Sequence, residues 1–77
     1  MRFMPGILVA RKYAGHISLD SELEWTPLRK RIMWYENDVG IVLESELKHH
    51  YWKCDVVKVL LPTGVAYIEA QSVNEIK

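Results

Sequence analysis

Between Cys54 and Ala70 the chain carries two apolar, β-type runs on which the rest of the pattern is organised. Val56, Val57, Val59, Leu60 and Leu61 make a run too rich in β-branched residues and too short for a helix. Pro62-Thr63-Gly64 is a turn sequence, and Val65 to Ala70 resumes the apolar pattern, so the spacing predicts a β-hairpin. Val57, Val59 and Ile68 fall on consistent faces and are expected in the core. Val56 and Leu60 are left open, because a strand that bends between two sheets can turn both faces inward.

The rest of the chain reads as short strands that pack on this hairpin. Pro5-Gly6 is a turn leading into a strand at Ile7–Arg11. From Lys12 to Arg31 the pattern loosens into a long irregular hairpin with its tip near Ser21 to Pro27. A short helix from Ser21 competes there, since Ser21 and Glu24 fit a capping box, and Pro27 would end it within a turn or two. Arg29 to Tyr35 leads into an Asx-type turn at Glu36-Asn37-Asp38. In Val39–Glu46 the alternation puts Val39, Ile41 and Leu43 on one face and Gly40, Val42, Glu44 and Glu46 on the other, as in a half-buried strand. Gly40 marks a bulge or a close crossing. Leu47–Lys53 connects to the central hairpin, Gln71–Asn74 reads as a tight turn, and Glu75–Lys77 as a last strand. The resulting expectation is an all-β fold: one domain over residues 1–77, a five-stranded antiparallel barrel with a long early hairpin loop.

Composition narrows the functional classes. A chain of 77 residues, 49% apolar and 26% charged, has ordinary globular composition and room for one small core, a size at which oligomerisation is a common support. Ten basic residues balance ten acidic ones, so no global field draws the protein to nucleic acid or anionic lipid. The single cysteine, Cys54, excludes an intrachain disulfide, and the Met1–Ala10 stretch, broken by Pro5-Gly6, is not a signal peptide. No apolar run approaches the roughly 20 residues of a membrane span. Synthesis in a reducing cytoplasm and a soluble protein are expected.

Three stretches carry a family resemblance: Val39-Gly-Ile-Val-Leu-Glu44, Val57-Lys-Val-Leu-Leu-Pro-Thr-Gly64 and Tyr67-Ile-Glu-Ala-Gln-Ser-Val-Asn-Glu-Ile76. Their strand spacing and turn chemistry resemble Src-homology-3-like (SH3-like) barrels, especially the small ones of tailed and notably marine bacteriophages. The resemblance spans Ile7 to Ile76. It implies a phage structural or accessory protein, made in the host cytoplasm, incorporated in the virion and bound to other virion proteins. The peptide-binding members carry an acidic, tyrosine-rich segment where this chain has Val9-Ala-Arg-Lys-Tyr-Ala14, a proline where it has Glu69 and a groove tyrosine where it has Val73. A polyproline groove is therefore not expected, and binding falls to another surface.

Candidate chemistry is sparse. His49, His50 and Cys54 are zinc-ligand types, but on a strand the two histidines face opposite ways and His50 to Cys54 spans about 13 Å, so no metal and no cofactor are expected. Cys54 with a histidine base lacks an orienting group and an oxyanion hole. Gly6, Gly15, Gly40 and Gly64 are isolated and form no phosphate loop. Glu44 and Glu46, about 7 Å apart on a strand face, match a glycosidase spacing but read as solvated. No enzymatic activity is expected. Arg29, Lys30 and Arg31, flanked by Trp25 and Trp34, could meet phosphates and stack bases, although Asp20, Glu22 and Glu24 on the opposite arm would neutralise them. Five large rings, Trp25, Trp34, Tyr35, Tyr51 and Trp52, exceed what so small a core holds, which points to a protein interface at Trp25, Trp34, Tyr35 and Trp52. The function expected is a non-enzymatic protein-binding module, self-association included. The alternative is a small nucleic-acid-binding barrel.

Overall fold

The computed structural model describes residues 3–23, 30–48 and 53–76. Among these the regular structure is β-strand with one short 3-10 turn. The strands are β1 (Leu8–Arg11), β2 (Ile17–Asp20), β3 (Arg31–Trp34), β4 (Gly40–Lys48), β5 (Asp55–Leu61), β6 (Gly64–Glu69) and β7 (Val73–Glu75), with the 3-10 turn at Ala70–Ser72. Five of them form one antiparallel sheet in the order β6-β5-β4-β1-β7, and β2-β3 form a separate hairpin. Instead of one closed ring of five strands, the fold is two antiparallel sheets packed face to face.

The central hairpin follows from its sequence. Leu61 pairs with Gly64 across the two-residue turn Pro62-Thr63. Gly64 takes φ +142°, and a Cβ there would stand 3.1 Å from Ile32 Cδ1, so glycine serves both the backbone and the packing of β3 on the turn. Val57, Val59, Leu61, Ala66 and Ile68 point inward and are buried. Each valine so placed contributes about 1.5–3 kcal/mol of transfer free energy. Val56 is also buried but lies outside the main cluster, whereas Leu60 is exposed. The strand therefore closes both faces at its start and one at its end.

The early hairpin supplies the other half of the core. Ile17 pairs with Trp34 and Leu19 with Ile32, which puts these four apolar side chains on one face and Ser18, Asp20, Arg31 and Met33 on the other. That apolar face packs, together with Phe3, against Val9, Val42 and Val73 on the inside of the five-stranded sheet. The hairpin is tied to the sheet by the Thr63 hydroxyl, which donates to the Met33 carbonyl. Its tip, including Glu24 and Pro27 and hence the proposed capping box, lies outside the described residues.

At the start of β4 the apolar face is the reverse of the expected one, whereas beyond the first register shift Leu43 is half-buried and Glu44 and Glu46 are exposed, as expected. Gly40 and Val42 face the core, while Val39 and Ile41 are exposed. Space is the reason: a Cβ on Gly40 would lie 3.2 Å from Leu61 Cδ2 and 3.4 Å from the Trp34 ring. The position without a side chain sits beneath the largest side chain, and Ile41 is forced outward. Gly40 thus marks a close approach, and the irregularities fall further along, with register shifts between Val42 and Glu44 and between Glu44 and Leu47 and a φ of 58° at Glu46. The final strand begins at Val73, two residues before its expected start, because Val73 is buried opposite Arg11.

Candidate interaction surface

Of the proposed interface rings, Trp34 belongs to the core. It is 0% exposed, and its indole N–H donates to the Asp38 carbonyl at 2.9 Å, which satisfies its one polar group. The alternation of β3 held this signal: successive strand residues face opposite ways, so Trp34 and Tyr35 could not share an outer face. Tyr35 is 44% exposed and meets His16 edge-on, with ring centroids 5.2 Å apart. His16 Nδ1 in turn accepts from the Glu36 backbone N–H at 3.0 Å, so this small aromatic pair buttresses the turn after β3. That turn is closed by the Asp38 N–H donating to the Tyr35 carbonyl. Trp25, Tyr51 and Trp52 lie outside the described residues.

The basic stretch is partly neutralised. Asp20 stands directly opposite Arg31 in the β2-β3 register, with Arg31 Nε 3.6 Å from Asp20 Oδ1. Asp20 itself is buried, so this ion pair has one sheltered and one exposed partner. Lys30 is exposed; its carbonyl accepts from both the Ser21 N–H and the Ser21 hydroxyl at 2.9 Å, which fixes the backbone there. Arg29 and the histidines His49 and His50 are outside the described residues. Glu44 and Glu46 are both exposed. Among the described residues no group of three His, Cys, Asp or Glu is arranged to hold a metal ion, and no helix is long and apolar enough to cross a membrane.

Cys54 lines a cleft of about 340 Å³ with Phe3, Lys12, Asp55, Gln71 and Asn74. Burial pushes its thiol above the ordinary range, and the carboxylates of Glu69 and Asp55 push it the same way against a smaller opposing effect of Lys48. Both effects favour the protonated thiol over the thiolate. Nearby, Lys48 and Asp55 form an exposed ion pair at the end of the β4-β5 ladder, which raises the lysine's pKa.

The largest unexpected feature lies on the outer face of the five-stranded sheet. Leu8 stands opposite Ile41, Ile41 opposite Leu60, and Leu60 opposite Val65. The Ile76 N–H donates to the Leu8 carbonyl at 2.9 Å, one step beyond the Val9–Glu75 pair, which brings Ile76 beside Leu8. A single apolar row therefore crosses all five strands: Ile76, Leu8, Ile41, Leu60, Val65. Leu8, Ile41, Leu60 and Ile76 are each 38–44% exposed, and Val39 beside the row is similar. The sequence signal was the presence of apolar residues on both faces of β4 and β5. Comparison of the chain with protein-family models, curated proteins and solved structures gives no match.

Proposed function

We propose that this chain is a non-enzymatic protein-binding module, an SH3-like barrel of the phage type acting as a virion structural or accessory protein, and that it binds through the outer face of its sheet. The barrel reading draws support from the order of its parts: a first strand, a long hairpin excursion, three consecutive antiparallel strands with a two-residue turn, then a 3-10 turn and a last strand beside the first. The apolar row from Ile76 to Val65 carries the functional reading. Exposed apolar residues gathered into one patch, unlike ones scattered singly, are often functional, and here Leu8, Ile41, Leu60 and Ile76 stand exposed in one line.

A photo-crosslinking residue in place of Leu60 tests this. It should give discrete protein adducts in a lysate of the native host, while the same group at Tyr13, 64% exposed and off the sheet face, should not. No excess of adducts at position 60 over position 13 would refute the reading. Genes for capsid or tail parts beside this one would support the virion assignment, and their absence would weigh against it.

The nucleic-acid reading rests on exposed Lys30 and Arg31, and Asp20 already offsets the second of these. Binding through them would be weak and would fall steeply with salt, about one unit of log–log slope for each phosphate neutralised. Tight binding that survives high salt in a fluorescence-anisotropy titration would reverse the ranking.

A further inference from the structure

Taking the protein-binding reading of the outer sheet face as given, we infer that the occupant of this face is a second copy of the chain, in a twofold dimer whose axis lies between the two sheets, parallel to β4 and over Ile41. The order of residues across the sheet is the first ground. Read from β7 to β6 the row is Ile76, Leu8, Ile41, Leu60, Val65, that is, β-branched, Leu, Ile, Leu, β-branched. A twofold axis through the central isoleucine exchanges Leu8 with Leu60 and Ile76 with Val65, so the row presents nearly the same profile in either direction. An isologous interface needs this self-complementarity.

Charge is the second ground. The net formal charge is zero, so two identical copies meet without monopole repulsion. In the row beside the apolar one the axis sets Glu44 beside its own counterpart, but each Glu44 has Lys58 opposite it within its own copy, so the charge brought under cover is balanced.

Area is the third. Five strands at about 4.8 Å spacing, over some six residues of length, offer a face of roughly 500 Å² per copy. The total of about 1,000 Å² lies at the lower edge of specific interfaces. The geometry therefore describes two sheets packed face to face about 10 Å apart, associating at micromolar concentrations and above and separating on dilution.

Sedimentation velocity of the purified full chain across that concentration range tests the inference. The weight-average sedimentation coefficient should climb from the monomer value toward the dimer value. Leu60→Asp and Ile41→Asp should each weaken association at least tenfold, while Tyr13→Asp should leave it unchanged. Leu60→Thr, which keeps strand propensity, guards against loss of fold, and circular dichroism should show the native spectrum for every variant scored. In a Cys54→Ser background, Ile41→Cys should couple to itself through a short bismaleimide matched to the sheet separation, and Leu60→Cys should do so far more slowly because it faces Leu8 of the second copy. A monomer at every concentration, a dimer indifferent to both aspartate variants, or equal coupling at positions 41 and 60 would overturn the inference. Adducts at position 60 in lysate with no dimer of the purified chain would overturn it while leaving the protein-binding reading standing.

Discussion

The two faces of the five-stranded sheet are built from the same kinds of side chain and differ in what stands over them. Inside, Val9 and Gly40 form a row with Leu61 next to Gly40, and the β2-β3 hairpin lowers Leu19 and the Trp34 ring onto it. One residue along, Leu8, Ile41 and Leu60 form the neighbouring row on the outside and stay exposed. Apolar character alone does not separate the faces. The inner one is chosen by the space its cover requires, and the cover is a separate hairpin whose Trp34 needs a glycine beneath it.

The largest test removes that cover. Trp34→Ala deletes a fully buried ring, and substitutions of this kind cost about 3–5 kcal/mol. That approaches the whole stability of a domain this small, so the variant should lack a cooperative thermal transition by circular dichroism. A melt close to wild type would mean that something other than Trp34 covers the inner face.

Gly40→Val and Val59→Ala probe the inner face from opposite directions. The first adds a branched side chain where even a Cβ would meet Leu61 at 3.2 Å, and overpacking should cost about 1–3 kcal/mol. The second opens a cavity at a residue with no exposure, for a similar loss of roughly 1–3 kcal/mol. Leu60→Ala, one residue away and 40% exposed, should shift stability by no more than about 0.5 kcal/mol in dilute solution. Chemical denaturation measures all three. Equal losses at positions 59 and 60 would erase the distinction between the faces.

These contrasts also show what the sequence made legible. The central hairpin was readable because Pro62-Thr63-Gly64 fixes its register, and register fixes which of Val59 and Leu60 turns inward. The face of β4 was not, because Val39, Ile41 and Leu43 outweigh Gly40 and Val42 in any count of apolar residues. The deciding fact is a tertiary contact between Gly40 and Trp34, which alternation along one strand cannot contain. Trp34 was misplaced for the related reason that counting rings against core volume does not say which ring goes in. The apolar row was hidden because its five members lie far apart along the chain, four in separate strands and Ile76 just past β7, and only pairing brings them into line.

The smallest effect concerns the place where the two faces cease to differ. At the start of β5 both Val56 and Val57 are buried, so the sheet is closed on both sides there, and Cys54 sits just before it, half-buried. Burial, then the Glu69 carboxylate, holds the thiol above its ordinary pKa. The folded protein thus keeps this proton over a pH interval in which the unfolded chain has lost it. The associated stabilisation is complete below the unfolded thiol's pKa and is lost as pH rises through the higher folded value. Because the side chain is partly exposed, the change in stability should be slight, and the rate of alkylation is the better readout. Iodoacetamide labelling of the folded protein should have its midpoint at higher pH than labelling in denaturant, and should be slower at every pH below it. Coincident profiles would show that this end of the sheet is as open to solvent as the outer row, and that the two faces differ along the whole length of β5.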